Sequence, residues 1–383
     1  MSTKRKNTLT LESLEPRCLL SGYWEGIDVD GDAVFVELRG PGELEVITSD
    51  EGLGEQIETI AVYDTTKGSK LTVDVFEFNG DGYVDVGAID AVDEDLKQIV
   101  VYGNIGHLEA GSVQKVYFDN AVTLDGETGE WFIDSNVKLL YAWGDLDNTN
   151  IQITGKTSKV VIEGDMIEAG LLVDGQLRKM AVFGDVAEDS LISSLGRINR
   201  LVIYGFLDYS TVETEDQLKL LHVGMDVIDA DIYADWAIHR IYVDGGIENT
   251  IIETPGRIRV LDSWDWIIDT DIIAGPQGID KLFAYNLSNV NIDTPGDVWF
   301  VYLDAYDSNA NWEDLYIVEE DYYYWPVFDV EYIDVVYYDD YYDFYYDPYY
   351  WDAYYYDDFY YDAYVDYFDP YYYDYGVYVD VYW

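Results

Sequence analysis

From residue 96 onward, apolar residues come in short runs of three or four, each closed by a Gly- or Asp-bearing turn. KVVIEGDMIEAGLLVDGQL from Lys159, KMAVFGDVAEDSLISSLGRIN from Lys179, RLVIYGFLDYSTVETEDQL from Arg200 and RIYVDGGIENTIIETPGRI from Arg240 share one plan. The turn position falls at Gly103, Gly144, Gly164, Gly184, Gly205, Met225, Gly245, Asp265 and Asn286. After a first gap of 41 the spacing is 20 or 21, and that gap holds one irregular coil, VYFDNAVTLDGETGEWFIDSN. A fixed period near 20 governs the reading of every local motif within it. Helical repeats need longer units and a 3.6-residue pattern, and βαβ units need more widely spaced strands. The pattern therefore predicts an all-β fold, a three-sided parallel β-solenoid of about ten coils over 96–310. Inward residues such as Val160, Ile162, Leu201 and Ile203 form its core. Coils stacked at ~4.8 Å give a rod of roughly 45–50 Å.

Upstream, residues 23–95 alternate like strands (AVFVEL, ELEVI, TIAVY, KLTVDVFEF), and Gly40-Pro41-Gly42 predicts a hairpin between the first two. This stretch reads as a β-rich unit or as the opening coils. Two segments in it look like calcium loops: Asp28, Asp30 and Asp32 in DVDGD, and Glu77, Asn79, Asp81 and Asp85 in EFNGDGYVD. A helix-loop-helix calcium loop wants oxygen ligands at alternate positions and an acid at position 12. Glu77 stands at position 1 and Ala88 at position 12, so the broken pattern favours a polar β-turn over an ion site.

Residues 1–22 form a leader. Lys4, Arg5 and Lys6 open it as in a secretory signal, but Glu12, Glu15 and Arg17 interrupt every apolar stretch. Leu14, Glu15, Pro16, Arg17, Leu19 and Leu20, with Cys18 at the variable position, resemble the LEPR-XLL motif near the N-terminus of planctomycete proteins that are large, repetitive and exported or surface-associated. The resemblance implies export and an extracellular or cell-surface location. The solenoid repeat, over roughly 75–305, is similar to the β-helical repeats of such surface proteins.

Composition sharpens the picture. The 77 acids against 21 Lys and Arg give a net charge of −56, which excludes ordinary nucleic-acid binding and docking on anionic membranes. One cysteine excludes a disulfide framework, three histidines leave little for metal or base chemistry, and no apolar run is long enough to span a membrane. Residues 311–383 are a different material. From 282 on the chain has 24 acids and no Lys or Arg, and 321–383 hold 25 Tyr and 15 Asp. Asp339, Asp343 and Asp347 at helical spacing would repel. This acidic tail stays solvated, binds a cation such as Ca2+, or meets a basic partner. Its tyrosines suit self-association.

Each coil carries a cation at one position: Lys159, Lys179, Arg200, Lys219, Arg240 and Arg259 among them. Phe183, Tyr204 and Trp264 share a register just before the turn. Together they form a candidate face for an acidic glycan, although a soluble edge and a stacking ladder are the favoured account of them, since every β-solenoid must place something on its outer face. Asp165, Asp185, Arg200 and Asp226 are the only grouping that could serve a polysaccharide-degrading enzyme, and no segment concentrates chemistry. The sequence thus favours a non-enzymatic, exported structural or adhesive protein with a solenoid spacer and a cation-responsive tail. Its partners would be cell-surface glycans, basic proteins or itself. The alternative is a carbohydrate-binding or carbohydrate-degrading β-helix.

Overall fold

The computed structural model describes residues 20–303, apart from 53, 79 and 123–127, together with 315–318. Among these residues every regular element is a β-strand, and the strands wind into a parallel β-solenoid of about ten turns. The reason lies in the short apolar runs. None is long enough to form a sheet with its own neighbours, but each can pair with its equivalent one period away. Leu140, Val160, Met180, Leu201, Leu221, Ile241, Leu261, Leu282 and Val301 lie in one parallel register. A second row runs through Leu146, Met166, Val186, Leu207, Val227 and Ile247. A third runs through Ile151, Leu171, Ile192, Val212, Ile232, Ile252 and Ile272. A fourth row stands beside these three ladders, largely of single bridges: Val137, Thr157, Leu177, Ile198 and Leu218. The three expected sides are present, with this extra inward row at one corner.

Val, Leu and Ile side chains from all four rows fill one continuous core, most of them wholly removed from water. Each buried aliphatic side chain contributes roughly 1.5–3 kcal/mol relative to exposure, and no coil holds enough of them to fold alone.

The N-terminal unit is built differently. Strands β1 (Leu20–Ile27), β2 (Ala33–Arg39) and β5 (Lys70–Phe76) pair antiparallel in the order β1-β2-β5. Strands β3 (Glu43–Glu51) and β4 (Gly54–Tyr63) form a second antiparallel pair. The Gly40-Pro41-Gly42 turn therefore does not close a hairpin: β2 and β3 leave it for different partners. Gly40 and Gly42 have φ of 105° and 135°, conformations that glycine supplies and that redirect the chain here rather than fold it back. Both β4 and β5 then pair in parallel with β6 (Val84–Val101), the first full coil, which pairs with β7 (Gly103–Phe118). The antiparallel unit thus covers the edge of the first coil, where unpaired backbone would otherwise invite another chain.

The irregular coil follows β7. Its turn is taken by Asp119, 16 residues after Gly103 and 25 before Gly144, with backbone bonds Asp119 N–H to Gly103 O and Gly144 N–H to Asp119 O. Trp131 is buried there, edge-on to Phe118, and donates its indole N–H to the Gly106 carbonyl at 3.1 Å.

Candidate functional site

The Gly-Asp turn is the first feature with chemistry. Asp145 Oδ1 accepts the backbone N–H of Asp165, Asp165 Oδ1 that of Asp185, and Asp185 Oδ1 that of Phe206, each at 2.7–2.8 Å. Asn120 Oδ1 starts the series on Asp145 N–H, and Asp226 Oδ1 repeats it on Gly246 N–H. Each of these side-chain oxygens occupies the space where a Cβ would stand on the turn residue of the next coil, so Gly144, Gly164, Gly184, Gly205 and Gly245 have no room for one. Where the preceding coil offers no such oxygen, the glycine is gone: Phe206 is followed by Met225, Gly246 by Asp265, and Trp266 by Asn286. The Asp-Gly pairing is therefore one device shared between adjacent coils. The candidate acids of a degrading enzyme, Asp165, Asp185 and Asp226, each have an oxygen engaged in bracing a turn.

The aromatic register stacks on itself. Phe183 and Tyr204 lie with ring centroids 4.7 Å apart and 14° between planes, and Tyr102 and Trp143 are 5.6 Å apart and 8° from parallel. These rings run up the axis as a ladder. Trp264 and Tyr285, 46% and 38% exposed, keep faces open to solvent.

The basic positions lie on one edge but not in one register. Lys159, Lys179, Arg200, Arg240 and Lys281 align, whereas Lys219 and Arg259 stand one residue earlier, level with His239. The expected single row is a band two residues wide, because the corner allows a cation at either position. Lys219, Arg259, Arg240 and Arg257 all lie close enough to His239 to hold its imidazole below the usual range, after burial as the larger cause. The three histidines do not converge: His107 Nδ1 accepts the Glu130 N–H, and His222 Nε2 meets Asp244 Oδ1 at 3.0 Å.

Half a coil away, a second corner turns through the left-handed region. Asn148, Glu168, Glu188, Tyr209, Asp229, Asn249, Asp269 and Asn289 have φ of 45–56° there. Buried Thr149, Ser210, Thr250 and Thr270 follow, each hydroxyl donating to the carbonyl two residues back. This corner is acidic. Burial first, then Asp229, Asp185 and Glu188, push the Asp208 carboxyl above the usual range. The sequence reading missed this edge, although its signal, an acid, Asn or Tyr every 20 residues, was in view.

The two calcium-like segments, read separately from the sequence, pack on each other. Asp32 is wholly buried and its carboxylate accepts the N–H groups of Phe78, Gly80 and Gly82 at 2.7 Å; Asp30 Oδ2 accepts that of Asp81 at 2.9 Å. Asp28 Oδ1 accepts from Gly31 and Asp32. Carboxylate oxygens of Asp28, Asp30 and Asp32 lie within 4.8 Å of one another, and Asp30 Oδ1 is enclosed without a donor. Burial, then a hydrogen bond shared with Asp30, pushes Asp28 up to about 6. A proton or a cation between Asp28 and Asp30 satisfies this arrangement. Calcium takes 6–8 oxygens, so this chain would supply only part of its shell. Asp81 caps the Tyr83 N–H, and Asp85 turns away to accept from Asn104. Neither completes the cluster. Asn79, the export motif from Leu14 to Leu19, and the tail apart from Leu315–Val318 lie outside the described residues; Leu20 opens β1.

The fold and its edges define a parallel β-solenoid with opposed charged corners. Comparison of the chain with protein-family models, with curated proteins and with solved structures gave no match. Among the described residues no helix is long and apolar enough to cross a membrane.

Proposed function

We propose that the chain is an exported structural or adhesive protein of the cell surface or matrix, in which the solenoid is a spacer and the Tyr/Asp-rich tail drives cation-dependent assembly. The observation that carries the spacer role is the shared Asp-Gly turn: acids that could serve hydrolysis are engaged in fastening coil to coil. Export rests on the LEPR-XLL resemblance of residues 14–20. Assembly rests on tail composition, 24 acids with no cation of its own after Lys281. The Asp28–Asp30 pair is a second place for calcium.

Equilibrium dialysis against calcium, with light scattering, tests this on the full chain and on a chain ending at residue 320. The full chain should bind several ions and assemble, and the shorter chain should keep at most the loop site and stay dispersed. Equal binding with no assembly in either removes the tail from the mechanism.

A second reading, carbohydrate binding, is favoured by the open faces of Trp264 and Tyr285 on coils that also carry Arg259 and Lys281. Aromatic rings stack on sugars and cations meet their carboxylates. Retention on an immobilised acidic polysaccharide, lost with Trp264→Ala, would support it. Cleavage of that polysaccharide, abolished by Asp165→Asn with Asp185→Asn, would restore the enzyme reading.

A further inference from the structure

We propose that solenoids associate side by side, the basic edge of one copy lying against the acidic edge of the next. Every Lys and Arg after residue 100 falls in one corner of the coil, 13 in all, and each coil from Lys138 to Lys281 supplies at least one. The left-handed corner supplies an acid on each coil from Asp147 through Glu168, Glu188, Asp208, Asp229 and Glu248 to Asp269. The acidic corner lies between the second and third strands of a coil, and the basic corner lies between the bridge row and the first strand. The two are about ten residues apart in a coil of 20, as Glu168 is from Arg178. They therefore face opposite ways.

A second copy is the partner that fits best, because its ladder has the same step. Both charge rows rise by one coil, ~4.8 Å, so copies set edge to edge keep every pair in register along the rod. Like charges succeed one another on each edge at that spacing, offset in part within the chain as in Arg257–Asp280 at 3.4 Å, and a facing edge of opposite sign relieves the rest. Because the two edges differ, the contact is heterologous and does not close on itself, so it propagates into a ribbon or sheet. The structural role proposed above would use such an array, but the contact itself needs neither the tail nor calcium.

Salt gives the contact a signature. The chain carries −56, so copies repel at long range. At about 0.01 M salt fields reach about 30 Å and repulsion wins; at about 0.15 M they reach about 8 Å and the facing edges decide; at about 1 M they reach about 3 Å and the pairing fades. Association should pass through a maximum near the middle value.

The test is sedimentation velocity of the full chain in EDTA across that range. The basic edge is reversed by Lys156→Glu, Arg178→Glu and Arg259→Glu, and the acidic edge by Glu168→Lys, Glu188→Lys and Glu248→Lys, all exposed positions. The unaltered chain should at least double in mass at the middle salt. Each triple variant alone should stay monomeric, and an equimolar mixture of the two should associate. Circular dichroism checks that both keep the β signal, and the salt curve of the unaltered chain requires no variant. A monomer at every salt, triple variants that assemble like the unaltered chain, or a mixture that stays monomeric overturns the proposal. Tail-driven assembly would instead vanish in EDTA and ignore the edge reversals, so the two readings fail separately.

Discussion

The solenoid turns two corners by different means. At the Gly-Asp turn from Asn120 onward, the residue on one coil tracks the residue on the next: an oxygen bonded to the next coil's backbone is followed by glycine, and its absence by Met225, Asp265 or Asn286, whereas the Asn104 oxygen accepts from the Asn120 side chain and is followed by Asp119. At the left-handed corner, Asn, Glu, Tyr and Asp succeed one another with no such dependence. The first corner is fastened by side chains bonded to the next coil's backbone; the second rests on a left-handed backbone conformation, with side-chain bonds between coils at some positions. Residue identity is constrained where a side chain must reach its neighbour's backbone and loose where φ alone is demanded.

The largest break in this contrast should come from Gly184→Ala. Its Cβ would collide with Asp165 Oδ1 and with the Gly164 carbonyl, and overpacking combined with a lost bond to a charged acceptor costs about 2–4 kcal/mol. Hydrogen exchange should show the loss at the interface between those two coils, since each coil touches only its neighbours. Adding Asp165→Ala should recover part of it, whereas Met225→Gly, facing Phe206 rather than a carboxylate, should change stability by about 1 kcal/mol or less. Equal effects at 184 and 225 would mean that the oxygen on the preceding coil does not decide the turn residue. Asp165→Asn tests the acceptor alone and should be nearly neutral, since Asn120 fills that role on an earlier coil.

pH sharpens the comparison next. Asp119, at the turn of the irregular coil, and Asp262, on the first strand ladder, are both half-buried. Burial raises each to about 6. A carboxyl whose folded value lies above its unfolded one favours the fold while protonated, and that stability is lost as pH rises through about 6. The full two units, roughly 3 kcal/mol for each group at most, are reached only below about pH 4, and about half of that by pH 5, with solvent screening reducing it further for Asp119. The melting temperature should therefore rise between pH 7.5 and pH 5, and Asp119→Asn with Asp262→Asn should flatten the rise. A melting temperature that falls steadily across that range in the unaltered chain would remove burial of these two groups as a controlling term.

Much of the fold was legible because a solenoid writes its geometry into its period. Gly164, Gly184 and Gly205 at steps of 20 and 21 gave the coil length, and the runs at Val160 and Leu201 gave the inward face. What the period cannot carry is partnership across long separations. The β2 strand looked ready to pair with β3 across Gly40-Pro41-Gly42, yet its partners are β1 and β5, since glycines permit a redirected chain as readily as a hairpin. Asp32, beside its place in the carboxylate cluster, accepts three amides from a loop 46–50 residues away, a pairing no local spacing shows. The basic residues looked like one row because spacing alone does not separate adjacent registers at a corner. The Asp-Gly dependence was present in the letters, but only the packing explains why the two residues must be read on different coils.

The smallest effects belong to the left-handed corner. Glu168 at φ 48° and Tyr209 at φ 45° pay for a conformation that costs most residues roughly 1–2 kcal/mol and that Asn tolerates better. Asn249 and Asn289 also use that position to donate to Asp229 and Asp269 one coil earlier, so Asn can add a bond where the preceding coil offers an acid. The Tyr209 hydroxyl bonds Asp229 on the next coil, a partner that Asn at that position can also reach, so Tyr209→Asn should stabilise by about 0.5–1 kcal/mol through the relieved backbone, read as a raised urea midpoint with unchanged slope. Asn249→Ala should lower it by a similar amount. If instead Tyr209→Asn destabilises, the ring and its bond to Asp229 outweigh the backbone strain, and side chains fasten that corner from coil to coil as they do the Gly-Asp turn.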